Sequence, residues 1–67
     1  MKLYDIVELT VDRPEDDLTA GMAGTIVDEH PSGQNPPEAY EVEFVDNNGK
    51  TIALIVLRPD QIRPVAS

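Results

Sequence analysis

Apolar positions along this chain recur every second residue, the spacing of a half-buried strand rather than of a helix. Tyr40-Glu41-Val42-Glu43-Phe44 shows it most cleanly, placing Tyr40, Val42 and Phe44 on one face and both glutamates on the other. Asp5-Ile6-Val7-Glu8-Leu9 predicts an earlier strand with Val7 and Leu9 on one face. Gly21-Met22-Ala23-Gly24-Thr25-Ile26-Val27 predicts a second, β-branched after its second glycine. Thr51 to Leu57 predicts the fourth, and Ile62-Arg63-Pro64-Val65 a short last one. Five short strands account for the chain, and no helix of about ten residues fits between the turn signals.

The connections are equally legible. Asp46-Asn47-Asn48-Gly49 is a tight hairpin signal, because Asn and Gly tolerate the positive φ that such turns demand. It makes the third and fourth strands an antiparallel pair. Thr10 to Ala20 forms a long first loop in which Leu18 is the one residue suited to fold back as a buried anchor. His30 to Pro37 is a polar, proline-rich connector, expected to be a mobile excursion. Arg58-Pro59-Asp60-Gln61 reads as a single 3₁₀ turn before the last strand. This order of strands and connections predicts an all-β fold, a small five-stranded SH3-like barrel. An OB-fold competes poorly, since it places a helix between its third and fourth strands where Asp46–Gly49 leaves no room.

Size limits the organisation. A chain of 67 residues is a single domain, residues 1–67, and folding removes only ~60% of the surface of the unfolded chain from water. No apolar run approaches the ~20 residues of a membrane helix, and the N-terminus lacks an apolar signal core, so a cytoplasmic location is expected. The absence of cysteine excludes disulfides, thiolate metal sites and thiol nucleophiles.

Several blocks carry a family resemblance: Asp5-x-Val7-x-Leu9, Leu18-x-x-Gly21-x-x-Gly24-Thr25-Ile26-Val27, Tyr40-Glu41-Val42-Glu43-Phe44-x-Asp46-x-x-Gly49-x-Thr51 and Asp60-Gln61-Ile62-x-Pro64. In order and spacing the chain resembles the small bacterial proteins grouped as domain of unknown function 4926. The connector from His30 to Glu38 departs from that pattern by its length. The resemblance implies an SH3-like fold and a bacterial source. It brings no established activity with it, and it offers no catalytic residues to transfer.

Charge changes the picture of partners. Thirteen acidic and five basic side chains give a net charge of −8. Twelve of the acids and only two of the bases lie in residues 1–46, a balance of −10, whereas residues 47–67 carry +2. Such a chain repels phosphate backbones, and nucleic acid is not an expected partner. His30 is the only histidine, which excludes a His–His metal pair, and no Ser or Thr sits in a nucleophile elbow. Glu15-Asp16-Asp17 lacks the alternation of a calcium loop, and Asp46–Gly49 is too short to wrap an ion. The expectation is therefore a non-enzymatic protein with no catalytic residues, metal or cofactor. Glu15-Asp16-Asp17 also supplies the acidic loop of a peptide-binding SH3 domain, but the aromatic floor of such a groove is missing.

The fourth strand breaks the alternation. Ile52, Leu54 and Val56 point one way and Ala53, Ile55 and Leu57 the other, so both faces are apolar. One face needs a cover, either a loop or another chain. Ala53, Ile55 and Leu57 are the expected outward, interface-forming residues, extended by Tyr4 and Ile6. A self-associating interaction module follows, most simply a homodimer. The alternative is an antitoxin- or immunity-type protein that neutralises a basic, co-encoded partner. Glu15, Asp16, Asp17, Glu41 and Glu43 are the candidate acidic residues for such a partner.

Overall fold

A computed structural model describes residues 1–34 and 36–65. Strands β1 (Ile6–Leu9), β2 (Ala23–His30), β3 (Ala39–Val45), β4 (Thr51–Leu57) and β5 (Ile62–Pro64) occur in the expected order. All neighbouring pairs are antiparallel, and the single sheet runs β4-β3-β2-β1-β5. Two 3₁₀ turns complete the structure, Pro14–Asp16 in the first loop and Pro59–Gln61 before β5. No α-helix occurs among the described residues.

The turns form for the reasons the residues suggest. At the β3–β4 hairpin, Asp46 Oδ1 accepts the Asn48 and Lys50 backbone N–H groups at 2.8 and 2.9 Å, and Gly49 adopts φ +79°. In the first loop, Leu18 and Arg13 exchange both backbone hydrogen bonds, which drives the Leu18 side chain into the core. The Thr10 backbone N–H donates to the Gln61 carbonyl and its hydroxyl to the Asp60 carbonyl, tying the second 3₁₀ turn to the end of β1. In the connector from 31 to 38, Pro37 is buried, and Asn35 lies outside the described residues, as do Ala66 and Ser67.

One face of the sheet holds the core: Val7, Leu9, Leu18, Ile26, Tyr40, Val42, Phe44, Leu57 and Ile62. A single layer encloses such a core only by curling. Two bulges supply the bend, where Val27 in β2 and Ile52 in β4 are each extra against β3. Gly24 permits a close approach of β2 to β3. A Cβ there would stand 2.7 Å from Val42 Cγ1 and 2.9 Å from the Glu43 carbonyl oxygen.

Two expectations are corrected. The sheet does not close into a barrel: among the described residues β4 pairs only with β3, and β5 only with β1. The second 3₁₀ turn separates β4 from a β5 of three residues, all of which pair with β1. The β4 face is also reversed. Leu57 stands opposite Tyr40, Ile55 opposite Val42 and Ala53 opposite Phe44, and cross-strand partners share a face. Leu57 is therefore fully buried, and Ala53 and Ile55 pack against the core.

Candidate interaction face

The outer face follows from the same register. Leu54, Glu43, Thr25 and Ile6 form one row across four strands, and Val56, Glu41 and Asp28 a second across three. Ile52, Leu54 and Val56 are 48, 53 and 52% exposed. On β4 these residues stand at the free edge of the sheet, with no charged residue, proline or glycine anywhere between Thr51 and Leu57. Among the described residues, apolar side chains and a row of backbone groups without strand partners are thus presented by one element.

Tyr4 and Ile6 are exposed as expected. Ile6 borders two surface grooves, one shared with Tyr4, Asp5, Pro64 and Val65, the other with Ala23, Gly24, Thr25, Glu43 and Val45. Two strands, bearing Thr25 and Glu43, separate Ile6 from Leu54 in their common row. The apolar surface is consequently divided between the two ends of the sheet.

The acidic candidates fall into two groups. Glu15 and Asp16 fold onto Arg13 of the same loop, at 2.7 and 3.0 Å, and Asp17 ends the 3₁₀ turn in the left-handed conformation. Two of these three carboxylates already have a cation. Glu41 and Glu43 lie half-buried on the outer face beside β4, where Glu43 accepts the Thr51 hydroxyl at 2.7 Å. Glu41 Oε1 lies 3.1 Å from His30 Nε2, and Asp28 Oδ2 lies 4.0 Å from the same nitrogen. The sequence pattern ends the second strand at Val27 and gives His30 to the connector, whereas β2 runs on to His30. The pattern also misses this cluster because Glu41 enters only through the β2–β3 register.

Two titrations are displaced. Burial pushes the Tyr40 phenol above its ordinary value, with a further contribution from the negative charges of Glu29 and Asp5. The Asp60 carboxyl is held below its ordinary value chiefly by its hydrogen bond from Arg58, at 3.1 Å. No helix of the described residues is long and apolar enough to cross a membrane.

No curated protein and no solved structure matches the chain. A family model does, over residues 3–64, and its description is Domain of unknown function (DUF4926). The match takes in all five strands and both 3₁₀ turns, so the chain with its open five-stranded sheet belongs to the DUF4926 family.

Proposed function

We propose that this protein is a small, acidic, non-enzymatic interaction module of the cytoplasm that self-associates through β4, with an SH3-like arrangement of its strands. One observation carries the reading: β4 is an uncharged, seven-residue edge strand whose outer side chains Ile52, Leu54 and Val56 stay about half exposed. Natural sheets ordinarily blunt such an edge with lysine, proline or a covering segment. A second copy satisfies both requirements of the strand at once. Its own β4 offers matching N–H and C=O groups, and its Leu54 and Val56 supply apolar area on the same side. Antiparallel pairing of two β4 strands about a two-fold axis joins the sheets into a ten-stranded one, with a symmetric interface.

The strand order and the 3₁₀ turn before β5 support the SH3-like reading. A basic partner is the second reading, favoured by the placement of Glu41 and Glu43 directly opposite Val56 and Leu54. A partner segment mixing basic and apolar residues complements that pattern.

Sedimentation equilibrium across micromolar concentrations tests the proposal. The wild-type protein is expected to reach the mass of a dimer, and Leu54→Lys to remain a monomer with an unchanged circular dichroism spectrum. A wild-type protein that stays monomeric at high micromolar concentration sinks self-association. Tight binding to a basic partner that weakens steeply with salt would then favour the second reading.

A further inference from the structure

We propose that Asp28, His30 and Glu41 form a binding site for a first-row divalent transition metal ion, with Zn²⁺ as the reference ion. The three side chains come from two neighbouring strands of one sheet. Asp28 and Glu41 are direct cross-strand partners, and His30 follows two positions after Asp28, which returns it to the same face. One ligand atom from each residue falls within 4.8 Å of the other two. The His30 Nε2 to Glu41 Oε1 separation of 3.1 Å already matches two donors on one ion at ~2.0–2.2 Å each. The Asp28 Oδ2 to His30 Nε2 separation of 4.0 Å is wider, so the Asp28 carboxylate has to swing inward to join them on one ion. Asp28 Oδ1 accepts the Glu29 backbone N–H at 2.8 Å, which orients the carboxylate.

A second observation points to a cation. Two carboxylates directly opposite each other on adjacent strands repel, and sheets disfavour that pairing. A divalent ion between them replaces the repulsion with two attractions, in a chain whose net charge is −8. One imidazole with two carboxylates suits zinc and its neighbours better than calcium, which prefers an all-oxygen shell. Three protein donors leave further coordination positions to water or to a donor from outside the chain.

The site is independent of β4 self-association, and its test does not depend on oligomeric state. Titration of the full-length protein with Zn²⁺, in a non-coordinating buffer near neutral pH, is expected to show one site per chain. Because the chain has a single histidine, its imidazole resonances report on this site alone. They are expected to shift on saturation. Loss of a partner that merely orients a metal ligand typically weakens a site about 10–100-fold, so His30→Gln should weaken binding at least about tenfold. Asp28→Asn should weaken it as well. Glu15→Gln, in the first loop, should leave it unchanged, and Ca²⁺ should bind more weakly than Zn²⁺. Absence of saturable Zn²⁺ binding overturns the proposal. So do unmoved imidazole resonances at saturation, or binding that survives His30→Gln intact.

Discussion

Tyr40 shows how one side chain joins the core to its electrostatic surroundings. Its ring is buried on the inner face, while its hydroxyl reaches the Met1 carbonyl at 3.4 Å. Burial and the nearby Glu29 and Asp5 charges disfavour the phenolate, raising the folded-state pKa above the ordinary 10.0. The native state therefore keeps the proton more tightly than the unfolded chain does. The stability linked to that proton is fully present below pH 10.0 and is lost as pH rises through the folded value. Comparing urea denaturation midpoints of wild type and Tyr40→Phe from pH 8 to pH 11 isolates this effect. The wild type should lose more stability than the variant over that range, and parallel curves would exclude the linkage. Asp60 behaves oppositely in sign, but it lies on the surface in an exposed pair with Arg58 and carries little weight in stability.

At the scale of elements, β4 carries most of the consequences. Its composition declares a strand, but an apolar residue at every position after Thr51 says nothing about which set faces inward. A polar residue would have marked the wet side, as Glu41 and Glu43 do for β3. Only the hairpin register decides, by setting Leu57 against Tyr40 and Ile55 against Val42. The bulge at Ile52 shows how delicate that decision is, since an extra residue reverses the alternation beyond it. Ile55→Lys is accordingly expected to lower the thermal midpoint sharply, because it sets an ammonium against the core face opposite Val42. A folded Ile55→Lys variant with wild-type thermal stability would reverse the inner and outer faces assigned here. Leu18 is the contrary case. One leucine among polar neighbours in the long first loop was legible as an anchor, and it is 1% exposed.

For the whole molecule, charge and size set the margin. A 67-residue sheet without disulfides has a small core, and a net charge of −8 sets its carboxylates against one another. Ion pairs relieve part of this, with Arg13 meeting Glu15 and Asp16, and Arg63 meeting Glu8 at 2.6 Å. Added salt screens the remaining repulsion over a Debye length of about 10 Å at 0.1 M. Raising sodium chloride from 20 to ~300 mM should therefore raise the thermal midpoint by a few degrees. A midpoint that falls with salt would mean that the ion pairs outweigh the repulsion. What the sequence determined by itself was local: the presence and order of five strands, the Asp46–Gly49 hairpin, the 3₁₀ turn at Pro59–Gln61 and the buried alternation of Tyr40, Val42 and Phe44. Each of these is written within a few consecutive residues, as a period or a turn preference. The tertiary structure alone decided the open edge at β4, the inward face of that strand and the meeting of Asp28 and His30 with Glu41. The first depends on which strands pair, and the other two on the register between them. Register is fixed by how bulges and side chains fit across the sheet, not by the order of residues along any one strand.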